Sequence, residues 1–231
     1  MANDASRRHP REQVMAVRYQ QLSAEVRALQ RQCYALATLR LQQAVAANSD
    51  SGEGLAVVTD IDETVFDNSA VMAHAAMAGE GYDNVETWKL WELHGTPRLI
   101  PGAAEFLALA DQLGVAIFYV SDRFGENKPA TMATLAALHL PQTTPDRVHL
   151  FGAPKAERRA LIERDHRIVL LLGDTMHDFH GDFANATLAD QYRLTETHAD
   201  RFGQDWIVFP NAAHGTWMEE NLRPWDLPAQ G

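Results

Sequence analysis

Seven polar residues, in four short blocks far apart in the sequence, are of the types that can move a phosphoryl group. They are Asp60, Asp62, Ser121, Arg123, Lys155, Asp174 and Asp178. A carboxylate can attack phosphorus and hold the product as an aspartyl-phosphate, which divides one difficult displacement into two easier ones. We assign this nucleophilic role to Asp60. Each block alone is common by chance, but the combination predicts a metal-dependent phosphohydrolase.

Asp62 stands two residues after the predicted nucleophile, where its carboxyl group can serve proton transfer. It can give a proton to the leaving oxygen and later take one from the attacking water, provided that its surroundings hold its pKa near the required value. A dehalogenase would share the nucleophile but has no use for this acid. Asp62 therefore favours phosphate chemistry over dehalogenation.

Cations are needed beside these carboxylates, because the transition state spreads negative charge over the phosphoryl oxygens. The predicted phosphate-binding residues are Ser121, Arg123 and Lys155. Mg²⁺ is a hard ion that takes oxygen ligands and keeps several waters. Its predicted ligands are Asp60, a backbone carbonyl at Asp62, Asp174 and Asp178, the last as a direct ligand or as an outer partner.

Apolar runs precede these blocks and predict buried strands. The clearest are residues 55–59, 115–120 and 168–172, which are short and continuously apolar, as parallel strands covered on both faces are. Residues 148–150 and 206–209 predict two further strands. Open α/β sheets bind their ligands outside the carboxyl ends of such strands, so we expect the polar blocks to meet there.

The predicted fold class is α/β, with a Rossmann-like parallel sheet flanked by helices, a small helical cap and a long N-terminal helix. Residues 55–231 are expected to form the core, with the cap inserted at about 69–100. Residues 1–54 are expected to form the N-terminal helix and a polar linker that begins at residue 48.

The N-terminal segment predicts one helix over residues 11–47. Its apolar residues Leu22, Val26, Leu29, Cys33 and Leu36 are spaced four, three, four and three apart, which places them on one face. That stripe can dock on the chain's own core, which we expect, or form the interface of a homodimer. Cys33 is expected to behave as a small buried hydrophobic residue and not as a nucleophile.

Composition and charge narrow the classes of function. The formal net charge is −11 and the isoelectric point is near 5.3, whereas binding of nucleic acid polymers needs a basic surface. The expected partner is therefore a small-molecule phosphate ester. We expect no transmembrane segment, because no apolar run is long enough, and the first eight residues lack the apolar stretch of a signal peptide.

A histidine-rich stretch near the fourth block raises the alternative of a zinc site. Its candidate ligands are His177, Asp178, His180 and Asp182. Zinc sites need three or four converging ligands, and the predicted magnesium site already uses Asp178. We therefore expect a magnesium site and not a second metal centre.

With these blocks in view, the chain resembles the haloacid dehalogenase (HAD) superfamily of phosphohydrolases. More narrowly, it resembles the class C acid phosphatases, the lipoprotein e group of bacterial 5′-nucleotidases. The narrower resemblance rests on residues 58–69, the Trp88-x-x-Trp91 pair, residues 118–123, residues 209–212 and residues 21–25. It implies a Mg²⁺-dependent phosphomonoesterase that prefers nucleoside 5′-monophosphates.

Three alternatives to a nucleotidase stay open within this resemblance. A broad-specificity acid phosphatase and a phosphotransferase would share all four blocks. A non-enzymatic relative of the plant vegetative storage proteins would share the fold but lack the nucleophile, and Asp60 argues against it. The resemblance implies export to the periplasm or the outer membrane, whereas the sequence as given equally permits a cytoplasmic protein.

The resemblance also indicates where a nucleobase would be held. It places Trp88 of the cap as one stacking wall, with Trp91 on the same helical face, although both tryptophans could instead pack the cap onto the core. Candidates for the opposite wall are His214 and Trp217. The chain departs from the family at His214, where the group has a tyrosine, and at His177, where it has an aspartate.

Overall fold

The computed structural model describes residues 10–48, 54–81, 84–223 and 225 of the 231-residue chain. Two predictions from the sequence concern residues that lie mostly outside these described ranges. The polar linker after residue 48 and the first eight residues, considered as a signal peptide, lie outside the described residues except for residues 48 and 54.

The strands are β1 (Leu55–Thr59), β2 (Phe66–Asp67), β3 (Arg98–Leu99), β4 (Ala116–Val120), β5 (Val148–His149), β6 (Arg167–Gly173) and β7 (Trp206–Val208). Five of them form one parallel sheet in the order β5-β4-β1-β6-β7, and β2 pairs with β3 in an antiparallel ribbon. The predicted α/β class with a parallel sheet is confirmed. Because β1 lies between β4 and β6, the carboxyl ends of these three strands meet at one edge.

The helices are α1 (Pro10–Leu22), α2 (Ala24–Ala47), α3 (Ser69–Ala78), α4 (Val85–His94), α5 (Ala103–Gln112), α6 (Lys128–Ala137), α7 (Lys155–Ile162) and α8 (Leu188–Thr197). Two apolar layers cover the two faces of the sheet, since strand side chains alternate. Val57 and Tyr34 lie in the layer that includes α2 and α5. Val58 and Ile162 lie in the layer that includes α7 and α8.

The N-terminal segment forms two helices, so the prediction of one helix over residues 11–47 was wrong. The break lies at Ser23, whose backbone is extended, with φ −73° and ψ 134°. Its hydroxyl oxygen accepts a hydrogen bond from the Val26 N–H at 3.1 Å, which caps α2. Serine favours such caps because its side chain satisfies a free amide of the first turn.

The buried face of α2 also differs from the predicted stripe. Leu22 and Leu29, which belong to that stripe, are 70% and 40% exposed. The buried residues of α2 are Val26, Gln30, Tyr34, Ala37 and Leu41. The sequence carries apolar residues on two adjacent faces of this helix, and packing against α5, β6 and β7 selects the face with Tyr34.

Cys33 lies at the edge of the α2 interface and is only half-buried. Its thiol donates a hydrogen bond to the carbonyl oxygen of Val208 at 3.2 Å. Burial raises the pKa of the Cys33 thiol to about 11, with its own backbone hydrogen bond acting in the opposite direction. A thiol held in the protonated form is a poor nucleophile, so the structure assigns Cys33 a packing role.

The cap consists of α3 and α4, which follow the first strand and its polar block. Helix α1 packs against α3 of the cap, whereas α2 packs against the sheet. Val17 of α1, Met72 of α3 and Ala213 form a small apolar cluster, and Trp88 of α4 packs against it. The break at Ser23 thus divides the N-terminal segment between the cap and the core.

None of the helices in the described ranges combines the length and the apolar character needed to cross a lipid bilayer.

Tyr34 offers a test of how α2 supports the first polar block. Its ring lies 4.7 Å from that of Phe209, and its hydroxyl donates to the Thr64 carbonyl oxygen at 2.8 Å. Tyr34→Phe leaves that buried carbonyl without its donor, so we expect the free energy of unfolding to fall by about 1–3 kcal/mol in urea titrations. Tyr192→Phe, which changes an exposed tyrosine, should alter it by less than about 0.5 kcal/mol. Equal small effects would show that the hydrogen bond contributes little.

Candidate active site

The carboxyl ends of three neighbouring strands bring the predicted site residues together. Asp60 follows β1, Ser121 follows β4 and Asp174 follows β6. The Asp60 N–H still donates to the Leu172 carbonyl oxygen at 2.9 Å, so the backbone of the first aspartate is fixed by the sheet. Carboxylate oxygens of Asp60, Asp174 and Asp178 lie within 4.8 Å of one another.

Lys155 is the cation at the centre of these carboxylates. It is the first residue of α7, and its Nζ lies 2.9 Å from Asp60 Oδ1 and 2.5 Å from Asp178 Oδ1. Burial lowers the pKa of Lys155, but the charges of Asp178, Asp60 and Asp122 outweigh it and raise the pKa above its ordinary value. The side chain therefore stays an ammonium ion.

Asp60 is buried and electrostatically under-compensated. Burial raises its pKa well above the ordinary value, and the charges of Asp178, Asp174 and Asp62 add to the rise, while Lys155 acts in the opposite direction. Asp60 Oδ1 has no partner in hydrogen-bonding geometry among the described residues, although Lys155 Nζ is close. Closely spaced oxygen donors with excess negative charge suit a hard divalent cation, so the aspartate cluster can hold a metal ion.

Asp174 is oriented by side chains outside the cluster. Its Oδ2 accepts a hydrogen bond from Asn211 Nδ2 at 2.7 Å and lies 3.7 Å from His214 Nε2. Its Oδ1 accepts from the Thr64 hydroxyl at 3.4 Å. Burial raises the pKa of Asp174, with Asp178 adding to the rise and His214 and Asn211 opposing it. Such outer partners fix the orientation of a ligating carboxylate.

Asp178 reaches the cluster because the chain turns back after β6. Its Oδ2 accepts hydrogen bonds from the Thr175 N–H at 2.9 Å and the Thr175 hydroxyl at 2.8 Å. A Cβ atom on Gly173 would lie only 2.3 Å from the Asp178 Cβ, so the last residue of β6 must be glycine for this turn. Both oxygens of Asp178 thus have partners, Lys155 on one side and Thr175 on the other.

Asp62 is held in a separate cluster with Arg123. Nε and Nη2 of Arg123 donate to Asp62 Oδ1 at 2.9 Å and 2.8 Å, and Asn68 Nδ2 donates to the same oxygen at 2.7 Å. The Ser121 hydroxyl donates to Asp62 Oδ2 at 3.2 Å. Burial raises the pKa of Asp62, but Arg123 and these hydrogen bonds outweigh it and lower the pKa below its ordinary value. Ser121 and Arg123, predicted to bind phosphate, both contact Asp62.

A pocket of about 290 Å³ opens onto both clusters. The described residues that line it are Asp60, Asp62, Val85, Trp88, Glu92, Ser121, Asp122, Arg123, Phe124, Lys155, Asp174, Thr175, His177 and His214. Trp88 and His214 are thus in the lining, whereas Trp91 and Trp217 are not. The Trp91 indole N–H donates to Asn68 Oδ1 at 2.8 Å, and Trp217 is 46% exposed.

His177, which follows β6, is a further polar residue in the lining of the pocket. His177 Nε2 lies 3.3 Å from Asp122 Oδ2, and its Nδ1 lies 3.1 Å from the Thr175 hydroxyl. Asp122 also pairs with Arg158 of α7. His177, one of the departures from the family pattern, therefore contacts Asp122 and Thr175 at the rim of the pocket.

Asn68, Asn211 and Glu92 are site residues whose contacts the sequence analysis did not foresee. The asparagines stand in the stretches that carry the family resemblance, which is the signal that could have indicated them. Glu92 had no such signal, because only the docking of α4 brings it to the site.

Glu92 joins the cap to the loop that carries Arg123. Its carboxylate is buried and accepts hydrogen bonds from the Phe124 N–H at 3.1 Å and from Asn127 Nδ2 at 2.9 Å. Burial raises the pKa of Glu92 to about 7, the Asn127 hydrogen bond and Arg123 oppose the rise, and Asp62 adds to it. The contact between cap and core is therefore sensitive to protonation.

Replacement of Glu92 should change how stability depends on pH. Because its pKa is raised from 4.5 to about 7, protonated Glu92 stabilises the fold fully below 4.5, and this contribution is lost as the pH rises through about 7. Glu92→Gln cannot titrate. We expect its free energy of unfolding, relative to that of the unaltered protein, to be about 1–3 kcal/mol more favourable at about pH 8 than at about pH 5, measured in urea.

Glu86→Gln on the same helix is the matched control, since it changes an exposed carboxylate. It should shift the free energy of unfolding by less than about 0.5 kcal/mol at either pH. If the effect of Glu92→Gln is the same at both pH values, Glu92 does not titrate in this range.

Comparison with known proteins agrees with this geometry. The family model of the HAD superfamily, subfamily IIIB (acid phosphatase), matches residues 3–217. Two solved structures of the class C acid phosphatase from Bacillus anthracis, one with tungstate bound, are each 31% identical to this chain. Each superposes with a TM-score of 0.85, and each comparison covers 94% of this chain and 92% of the other. The chain therefore belongs to subfamily IIIB of the HAD superfamily, the class C acid phosphatases, and is an enzyme of the phosphomonoesterase type.

Proposed function

We propose that this acid phosphatase is a Mg²⁺-dependent enzyme that cleaves small phosphate esters, preferentially nucleoside 5′-monophosphates, through an aspartyl-phosphate on Asp60. The observation that carries the proposal is the position of Asp60, which is buried at the end of the central strand, lies 2.9 Å from Lys155 Nζ and lines the pocket.

The first step transfers the phosphoryl group to the protein. A carboxylate oxygen of Asp60 forms a bond to phosphorus while the bond from phosphorus to the ester oxygen breaks, and Asp62 gives its proton to the departing oxygen. Arg123 lowers the pKa of Asp62 in the resting protein. A bound phosphate brings negative charge next to Asp62, which raises the pKa of its carboxyl and favours the protonated form.

The second step releases phosphate. Asp62, now a carboxylate, takes a proton from a water molecule as the water oxygen bonds to phosphorus, and the bond between phosphorus and Asp60 breaks. Arg123 Nε and Nη2 hold Asp62 in one orientation through both steps. The ammonium of Lys155 lies against Asp60 and supplies positive charge where the phosphoryl oxygens gain negative charge.

The aspartates that would hold Mg²⁺ are Asp60 and Asp174, with Asn211 and Thr64 fixing the orientation of Asp174. Asp178, whose oxygens bind Lys155 and Thr175, would act as a direct ligand or as an outer partner. Bound Mg²⁺ supplies the charge needed to neutralise the carboxylates and the phosphate together. We also predict that the backbone carbonyl oxygen of Asp62 is a ligand of the Mg²⁺ ion.

The proposed substrate preference rests on two residues of the pocket lining. Trp88 presents an aromatic ring from α4, and His214 lies beside Asp174 in the same lining. A flat base held between them would place its phosphate near Asp60, and binding energy from that remote ring can help to position the reacting group.

Substitution of the two aspartates of the first block tests the mechanism. Asp60→Asn removes the nucleophile and should abolish turnover of p-nitrophenyl phosphate. Asp62→Asn should lower kcat by about 10²–10⁴-fold with little change in KM, because it removes proton transfer and leaves binding intact. Normal turnover by Asp60→Asn would assign the nucleophile to another residue.

The same assay with and without metal tests the cofactor. Chelation should abolish activity of the unaltered protein, and added Mg²⁺ should restore it, since three carboxylates and a phosphate would otherwise repel each other. Full activity in excess EDTA would contradict the proposed metal dependence.

Trp88→Ala tests the nucleotide preference. The ratio of kcat/KM for a nucleoside 5′-monophosphate to that for glycerol phosphate should fall about five- to 150-fold, the value of one stacked base at ~1–3 kcal/mol. Trp217→Ala, which lies outside the pocket lining, should leave the ratio unchanged. Equal losses on both substrates in Trp88→Ala would mean that Trp88 only packs the cap, and that the enzyme is a general acid phosphatase.

A further inference from the structure

We propose that His180, Asp182 and His198 form a binding site for a transition-metal ion of the Zn²⁺ type, separate from the aspartate cluster. One potential ligand atom from each residue lies within 4.8 Å of the other two. His180 Nδ1 and Asp182 Oδ2 are already 3.6 Å apart. The site does not depend on the proposed phosphatase mechanism.

The spacing of the three ligand atoms suits a tetrahedral ion. Zinc–nitrogen and zinc–oxygen distances of about 2.0–2.2 Å place tetrahedral ligands roughly 3.4 Å apart. The three atoms lie within 4.8 Å of one another, so each pair would have to close by at most about 1.4 Å. The side chains of His180 and Asp182 are 45% and 65% exposed, so they can rotate without disturbing the core.

Two separate segments present the imidazoles on a common aromatic surface. His180 precedes the 3₁₀ turn Gly181–Phe183, and His198 follows the last residue of α8. Their rings lie 5.2 Å apart, and the Trp206 ring lies 5.1 Å from His198 and 6.4 Å from His180. Packing on Trp206 holds the two histidines near each other before any ion arrives.

The donor set separates this site chemically from the aspartate cluster. Two imidazole nitrogens and one carboxylate oxygen are the ligands that zinc takes in sites with one position left for water. Magnesium prefers oxygen ligands alone and should choose the aspartates. The difference in ligand type therefore favours Zn²⁺ at the histidine site and Mg²⁺ at the aspartate cluster.

The structure changes the ligand set that the sequence offered for zinc. Asp178 is engaged by Lys155 and Thr175, and His177 lies against Asp122 at the pocket rim. His198, distant in sequence, takes their place beside His180 and Asp182. Binding would exchange the hydrogen bond from the Asp182 N–H to His180 Nδ1, 3.2 Å long and exposed, for a metal–nitrogen bond.

Zinc binding in the presence of saturating Mg²⁺ tests the proposal, because Mg²⁺ then occupies the aspartates. Isothermal titration of the full chain with Zn²⁺ should give one site. His198→Gln should weaken it by at least about 100-fold, since even loss of an outer partner of a metal ligand costs about 10–100-fold. Asp182→Asn should also weaken Zn²⁺ binding, and because Asp182 is exposed, this variant should fold normally. His74→Gln, an exposed histidine on α3, is the matched control and should bind Zn²⁺ normally.

Thermal unfolding provides the second readout. Zn²⁺ should raise the Tm of the Mg²⁺-saturated protein, because binding to the folded state alone stabilises it, and this rise should be absent in His198→Gln and retained in His74→Gln. No zinc binding under saturating Mg²⁺ would overturn the proposal. Unchanged zinc affinity in both His198→Gln and Asp182→Asn would overturn it too.

Discussion

The ammonium of Lys155 lies between the buried carboxylates of Asp60 and Asp178, 2.9 Å from one and 2.5 Å from the other. Burial of a charge is costly unless the charge is paired, and loss of one partner leaves the other uncompensated. Here three carboxylates whose side chains are almost inaccessible to solvent lie within 4.8 Å of one another, and one lysine pairs with two of them. The rest of the site is organised by this excess of negative charge, which makes the cluster receptive to cations and keeps Lys155 charged.

The sheet makes such a cluster attainable. Asp60 and Asp174 come to the same edge because β1 and β6 are parallel neighbours, and Lys155 arrives there at the start of α7. Asp178 joins them only because Gly173 leaves room for the chain to turn back on itself. One strand therefore contributes two carboxylates, each with a different set of hydrogen-bond donors.

Asp62, the proposed proton-transfer residue, lies in a second cluster, apart from the aspartates beside Lys155. Arg123 Nη2 donates hydrogen bonds to Asp62 Oδ1 and to Asn68 Oδ1. The Asn68 oxygen also accepts a hydrogen bond from the indole N–H of Trp91 in the cap. The pKa of Asp60 is raised and that of Asp62 lowered, although the two residues are neighbours in sequence. These tendencies of the resting protein are the reverse of those that the proposed roles require, so a bound cation must lower the pKa of Asp60 and a bound phosphate must raise that of Asp62 before the proposed reaction.

The sequence predicted what depends on local pattern. Continuous apolar runs located the five strands of the parallel sheet, and the polar blocks after them predicted that their carboxyl ends would meet, whereas the strand order and the short ribbon of β2 and β3 came only from the structure. The sequence could not predict the break at Ser23, because a helix pattern continues across a serine that is equally able to cap. Nor could it predict the buried face of α2, the hydrogen bond of Trp91 to Asn68, or the arrival of Glu92 and His198, since these depend on which helices dock where.

The division of the N-terminal segment at Ser23 defines how much chain a minimal version of this enzyme needs. The carboxylates of the two clusters, Lys155 and Arg123 all lie after α2, so a shortened protein that begins at α2 would retain every group of the proposed mechanism. It would nevertheless lose Val17, and with it the apolar support behind Met72 and Trp88. Proteolysis within α1 would thus affect the pocket wall and leave the proposed reacting groups in place. Those groups are positioned by the sheet, whereas the wall that carries Trp88 is supported by α1 at the N-terminal end of the described chain.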